Sequence, residues 1–234
     1  MELKTDAYND LFDQISELKW YPWVGSNYQE NRLLLIGESH YAQGEDGNID
    51  LDCYNDFLDD KNSTISIIER LIAGTKWNFF QNTYHALVGT ENIDKEAFWS
   101  NVAFYNLIQR PMQTRDDRPS KSDYYTGWDV FYEVLKIVRP SHCVFLGSGS
   151  AKYMYPVMRG KKDIIFADNR CTIEQWHKQI GRYLGKVAHL EYEDVKTDIT
   201  FIKHPSAYFK KEEWNAYLME RISGTLEKIK SKTR

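Results

Sequence analysis

Four short polar stretches hold the residue types that could do chemistry: Gly37-Glu38-Ser39-His40-Tyr41, Asn106, Gly147-Ser148-Gly149-Ser150 and His204-Pro205-Ser206. A carboxylate or an imidazole can hold or pass a proton, and an amide offers a donor and an acceptor on one edge. Each stretch alone has a plainer use. Asn at the end of an apolar run is commonly a turn former, and a lone His is commonly a satisfied structural group. Gly147 to Ser150 could cradle a phosphate with backbone N–H groups. It lacks the Lys of a P-loop and the full Gly-x-Gly-x-x-Gly of a dinucleotide fold, so it reads as a tight turn. Glu38, His40, Asp46 and His204 are metal-ligating types, but no close pair such as His-Glu-x-x-His occurs. Cys53, Cys143 and Cys171 are odd in number and widely spaced, which argues against a disulfide framework, a zinc knuckle or an iron–sulfur cluster.

Each stretch follows a short apolar run that reads as a strand: Leu33 to Ile36, Val102 to Leu107, Cys143 to Leu146 and Ile199 to Ile202. Helical spacing lies between them, over 64–72, 79–87 and 123–138, the last closed by Arg139-Pro140. A first helix is expected over 5–19, capped by Thr5 or Asp6, with Tyr8, Leu11, Phe12, Ile15 and Leu18 on its apolar face. A terminal helix is expected over 212–230. Between 161 and 198 the pattern suggests a short strand, Ile164-Ile165-Phe166, and a helix over 173–184. Strands alternating with helices predict an α/β protein, a three-layer α/β/α sandwich with a central four-stranded parallel sheet. Ligands in such sheets sit at the carboxyl ends of the strands, where the four polar stretches fall. The polar segment from Glu38 to Asp60 is too long for a mere connector and is expected to carry function.

The chain has 234 residues, 42% of them hydrophobic, enough for a real core. No internal repeat or low-complexity linker divides it, so a single domain over 1–234 is expected, with its core at about 32–210. No apolar run approaches the ~18 residues of a membrane helix. The first residues lack the basic start and apolar stretch of a signal peptide, so the expectation is a cytoplasmic protein with no membrane partner. Aromatic residues make up 15% of the chain. Most are expected to fill the core, though such rings also stack on planar ligands.

Taken together, the four stretches resemble the uracil-DNA glycosylase superfamily. Leu33 to Tyr41 is similar to its first motif, a buried strand followed by Gly and then Gln or Glu. The run Phe104-Tyr105-Asn106-Leu107-Ile108-Gln109-Arg110-Pro111 resembles the strand whose Asn reads the flipped base. Arg139 to Gly147 with Ala151 resembles a structural third strand, and His204-Pro205-Ser206-Ala207-Tyr208-Phe209-Lys210 resembles the His-Pro-Ser motif with its DNA-penetrating loop. The branch of the superfamily that holds an iron–sulfur cluster needs four cysteines, which this chain cannot supply.

The resemblance implies a DNA glycosylase that everts a base, hydrolyses its N-glycosidic bond and leaves an abasic site, with no cofactor or metal. His204 would donate to a base carbonyl oxygen as negative charge gathers there, and Asn106 would meet the Watson–Crick edge. Tyr41 and Gly37 would wall the pocket, and Phe79 or Phe80 is a candidate to stack on the base. The best-known branch has a water-activating Asp where this chain has Ser39, so Glu38 and His40 become candidates for orienting water. Ser206, Tyr208, Lys203, Lys210 and Arg110 would contact DNA, Tyr208 or Phe209 filling the gap left by the flipped base. Arg115, Arg118, Lys121 and Lys211 add to this basic rim, against an overall charge of −4 that disfavours tight duplex binding. The unfamiliar first motif suggests a modified pyrimidine, such as a bulky phage-type cytosine met in antiviral defence, or uracil. A monomer is expected. Two other classes remain open: a DNA-binding descendant without catalysis, and a metal-dependent hydrolase using Glu38, His40, Asp46 and His204.

Overall fold

A computed structural model describes residues 2–166, 178–206 and 208–233. In chain order it comprises α1 (Asn9–Phe12), β1 (Trp23–Val24), α2 (Tyr28–Asn31), β2 (Leu33–Gly37), α3 (Leu51–Asp59), α4 (Ser63–Ile72), α5 (Asn78–Val88), α6 (Lys95–Ser100) and β3 (Ala103–Asn106). The second half adds α7 (Lys121–Val138), β4 (His142–Phe145), α8 (Ala151–Met158), β5 (Ile164–Phe166), β6 (Lys178–Ile180), β7 (Tyr183–Tyr192), β8 (Val195–Phe201) and α9 (Lys211–Lys232). The strands form a mixed sheet in the order β1-β3-β2-β4-β8-β7-β5, with β6 paired to β7. β3, β2, β4 and β8 are mutually parallel neighbours. β1 adds antiparallel to one side, and β7 and β5 to the other. The sheet is therefore wider than the expected four parallel strands, because the 161–198 region supplies strands of its own.

Alternation along the parallel strands assigns side chains to two faces. Leu34, Ile36, Tyr105, Phe145, Ile199 and Phe201 pack with Trp128, Phe131 and Leu135 of α7 and Met154 and Met158 of α8. Leu33, Leu35, Phe104 and Val144 pack with Ile68, Tyr84, Trp99, Trp214 and Leu218, from α4, α5, α6 and α9. Burial on both faces explains why β2 is apolar at every position before Gly37. Trp23 and the buried face of α9 lie in the same core, so the packed interior runs past the expected limits of 32 and 210. No helix among the described residues is long and apolar enough to cross a membrane.

Three sequence expectations are corrected. The helix over 5–19 shrinks to α1, because Thr5 N–H pairs with Val24 and the chain after Phe12 folds into turns with i→i−3 bonds at Gln14, Ile15 and Leu18. Asn9, Asp10, Asp13 and Ser16 are weak helix formers, and Leu11 stays 44% exposed, so burial does not sustain a longer helix. The segment Glu38 to Asp60 is not one loop, since Asp50 caps α3 by accepting from Cys53 N–H. The helix over 173–184 is contradicted where it is described: Lys178–Ile180 and the start of β7 form an antiparallel hairpin, and 173–177 lie outside the described residues.

α7 starts on a capping box in which Ser120 and Asp123 satisfy each other's backbone N–H groups. It is pressed onto the chain leaving β3. A Cβ at Gly127 would stand 2.6 Å from the Leu107 carbonyl oxygen, which is backbone and cannot yield without shifting the strand end. Gly127→Ala is expected to destabilise the fold by about 2 kcal/mol, within the range for overpacking a core. Urea denaturation should show a lower midpoint at unchanged slope. A wild-type midpoint would show that the helix can back away freely.

Candidate functional site

The carboxyl ends of the four parallel strands deliver the chemistry-bearing residues in spatial order. Asn106 closes β3, Gly37 and Glu38 close β2, Gly147 follows β4, and His204 follows β8. β2 and β3 stay joined past their ends. Leu107 N–H donates to Gly37, Ile108 to Glu38 and Met112 to His40, and Ala42 N–H donates back to Met112. This zipper fixes the backbone from Gly37 to Ala42 against that from Asn106 to Met112.

Asn106 is 4% exposed, and its carboxamide lies across Gly37. A Cβ at Gly37 would collide with Asn106 Oδ1, so only glycine leaves room for it. Gln109 Nε2 donates to the Asn106 carbonyl at 2.5 Å, fixing the backbone as well.

His40 does not face a pocket. Its ring is 4% exposed, stacked on Phe57 at 4.9 Å and edge-on to Trp20 at 4.5 Å. Nε2 lies 2.9 Å from Thr64 Oγ1, and Asn106 Nδ2 lies 3.2 Å from Nδ1 and 3.3 Å from Nε2. A neutral ring with its proton on Nε2 suits both partners, donating to Thr64 and accepting from Asn106 at Nδ1. Burial pushes the His40 pKa down to about 3, with the Arg70 charge adding to the effect. His40 thus holds Asn106 from behind and is shielded from water.

Glu38 is half-buried and accepts from two phenols, Tyr41 at 2.6 Å and Tyr124 of α7 at 3.4 Å. Burial, then the Glu38 charge, drive both phenols above the ordinary tyrosine range, so they remain protonated donors. Ser39 spends its proton on the Arg110 carbonyl at 2.5 Å and is an anchor between the two loops. His204 is half-buried, with its ring 5.0 Å from Phe79. Burial lowers its pKa, the Arg118 and Lys203 charges lower it further, and Glu38 opposes them. The Glu38 charge therefore reaches His204, and at neutral pH the imidazole is mainly uncharged. Of the two stacking candidates, Phe80 is buried against Trp99 and Phe104, whereas Phe79 borders His204.

The expected DNA-contacting residues divide. Ser206 and Tyr208 are exposed, Tyr208 at 96% with a left-handed φ of 58°. Lys203 is only 8% exposed and points inward, donating to the Tyr208 carbonyl at 2.9 Å and lying 4.7 Å from the Tyr183 ring. Arg110 is held by Asp117 and Asp123, Lys210 by Glu213 at 2.6 Å, and Lys211 by Glu91. Of the expected basic rim, Arg110, Lys210 and Lys211 are thus neutralised by carboxylates and Lys203 is turned inward.

Two residues of the site were not singled out for it in the sequence. Tyr124 arrives from the first turn of α7, placed by the Ser120–Asp123 box. Arg118, read only as one of several basic residues in a loop, acts electrostatically on Tyr41, Tyr124 and His204. Among the described residues no three His, Cys, Asp or Glu side chains are grouped to hold a metal ion. Of the proposed ligands, His40 faces Thr64 and Asn106, and Asp46 is tied to Asn48. Two surface depressions, of about 410 Å³ beside Trp23 and Glu69 and about 400 Å³ beside Tyr125 and Pro156, have neither Asn106 nor His204 in their walls.

No protein-family model matches the chain, and no curated protein matches it.

The buried His40 links stability to pH. The unfolded chain binds a proton on this ring below about 6.5 and the folded chain only near 3, so stability falls as pH drops through that window. Between pH 7.5 and pH 5 the wild type is expected to lose about 2 kcal/mol that His40→Gln does not lose. Equal losses in both, measured by denaturant melts, would place the proton elsewhere.

Proposed function

We propose that this chain is a DNA glycosylase of the uracil-DNA glycosylase type, hydrolysing the N-glycosidic bond of an everted pyrimidine. The observation that carries the reading is the arrival of an amide, a carboxylate and an imidazole at the carboxyl ends of the parallel strands β3, β2 and β8, with β4 between the last two, in the order Asn106, Glu38, His204. The finer fold description, α/β/α layers around four parallel strands, belongs to the same reading.

Breaking the bond leaves negative charge on the base and positive charge on the sugar. His204 in its neutral form donates N–H to the base oxygen where charge accumulates, without having to give up a proton in solution first. Glu38, fixed by two phenols, is the group left to orient water and to stabilise the cationic sugar, since Ser39 and His40 are committed elsewhere. Asn106, held by His40 and Gln109, reads the base edge, and Phe79 offers a ring beside His204. Arg118 supplies positive charge near the leaving base. The substrate is a pyrimidine, either uracil or a modified cytosine of the kind phages carry.

The test is base release from DNA containing uracil, a thymine mismatch, 5-hydroxymethylcytosine or its glucosylated form, read by mass spectrometry and by alkaline cleavage at abasic sites. Release is expected on at least one of these. His204→Ala is expected to lower the rate by 10²–10³-fold, the usual cost of a donor at a developing anion, and Glu38→Gln by about 10²-fold. A second reading, a DNA-binding descendant without catalysis, is favoured by the burial of Asn106 and the internal bond of Ser39. DNA binding that His204→Ala leaves unchanged, with no base released from any substrate, would establish it in place of the first.

A further inference from the structure

Of the cations expected to meet phosphates, Arg110, Lys203, Lys210 and Lys211 are engaged inside the protein, whereas Lys121 is not, and further cations without a carboxylate partner follow it along α7 and α8. Residues 121–163 hold seven Lys and Arg against four Asp and Glu, in a chain of net charge −4. Among the described residues Lys121, Lys152 and Arg159 make no ion pair with a carboxylate. Each instead sits over an aromatic ring. Lys121 Nζ is 5.2 Å from the Tyr125 centroid, Lys152 Nζ is 4.9 Å from that of Tyr153, and the Arg159 guanidinium is 5.9 Å from that of Tyr155. Burial, and after it the Lys152 charge, holds Lys186 of β7 below the usual lysine range.

This face is continuous with the candidate site. Tyr153 stacks on Tyr124 at 4.6 Å with a 14° interplanar angle, and Tyr124 donates to Glu38. Tyr125 meets Tyr153 edge-on at 5.9 Å. Half-buried rings flanked by unpaired cations suit a chain whose bases are free to stack and whose phosphates need neutralising. A duplex would offer the phosphates but keep its bases from the tyrosines. α8 is eight residues long, so the face runs about 12 Å away from the site, room for roughly two nucleotides.

We propose that the α7–α8 face is a track for single-stranded DNA leading away from the strand ends, with Lys121, Lys152 and Arg159 on phosphates and Tyr125 and Tyr153 on bases. The proposal rests on the glycosylase reading for its direction, since the track would hold the strand that flanks the everted nucleotide. It is measured by binding alone.

Fluorescence anisotropy of labelled dT12 with the full chain, titrated at several salt concentrations, tests it. The triple variant K121Q/K152Q/R159Q is expected to bind at least tenfold more weakly at low salt, and its salt slope should fall by about 2, the value for three phosphates on a single strand. Tyr125→Ala is expected to weaken dT12 binding severalfold at unchanged slope, with Tyr125→Phe restoring it. The exposed charge changes leave the core intact, and circular dichroism with a thermal melt confirms folded variants. Wild-type affinity and slope in a folded triple variant would overturn the track. So would equal effects on duplex with a silent Tyr125→Ala, or tighter retention on phosphatidylserine vesicles or polyglutamate than on dT12. Variant-sensitive dT12 binding with no base released from any substrate would support the track and sink the glycosylase reading alone.

Discussion

The parallel pairing of β2 with β3, and its continuation past both strand ends, is the constraint on which the rest of the site depends. In that register Gly37 stands opposite Asn106, and the absence of a side chain on one lets the carboxamide of the other lie flat across the sheet edge. Four further backbone bonds carry the pairing through Met112, so the loops bearing Glu38 and Arg110 move as one body. Ser39 pins the same pair of loops by a side-chain bond. A slip in this register would displace Asn106, Glu38 and the ring of His40 together.

Behind that edge the protein invests in rigidity. Trp20, Phe57 and Thr64 enclose His40, and His40 in turn steadies Asn106. A charged imidazole could not be accommodated there, so desolvation keeps the ring neutral and its hydrogen-bond roles distinct. In front of the edge the arrangement differs. Glu38, His204 and Arg118 are close enough to influence one another, and the phenols of Tyr41 and Tyr124 mediate between the carboxylate and its surroundings. One histidine is thus a support sealed in the interior, and the other borders solvent and responds to three charges.

The parts of the fold visible in the sequence are those in which local pattern and burial agree. The apolar runs of β2 and β4 read as strands covered on both faces, and the amphipathic spacing over 123–138, closed by Arg139-Pro140, marks α7. The parts that were missed depend on partners far away in the chain. Leu11, Phe12 and Ile15 keep helical spacing, yet the bridge from Thr5 to Val24 pulls the segment aside before a helix can extend. From residue 178, where the expected helix over 173–184 is described, the chain forms a hairpin instead, in which Lys178–Ile180 pair with the start of β7. At the candidate site the motifs carried Asn106, Glu38 and His204 to one edge of the sheet. They did not reveal that His40 faces inward, because its box is built from Trp20, Phe57 and Thr64. Nor did they mark Tyr124 and Arg118, which come from a helix and a loop with no motif of their own. A count of lysines and arginines around the His-Pro-Ser stretch overstated the positive rim, since the pairing of Lys211 with Glu91 is a tertiary fact, and Lys210 and Arg110 meet carboxylates nearer in the chain that such a count ignores.

Lys203 joins the imidazole's own loop to the hairpin that starts at Tyr183. Its amine holds the Tyr208 carbonyl at one end and a phenol ring at the other, so the loop cannot lift without the amine coming free. An acylating reagent would find this nitrogen late, after the surface lysines have reacted. Its labelling rate is therefore a clock for the opening of the loop beside His204, one that needs no substrate and no engineered probe.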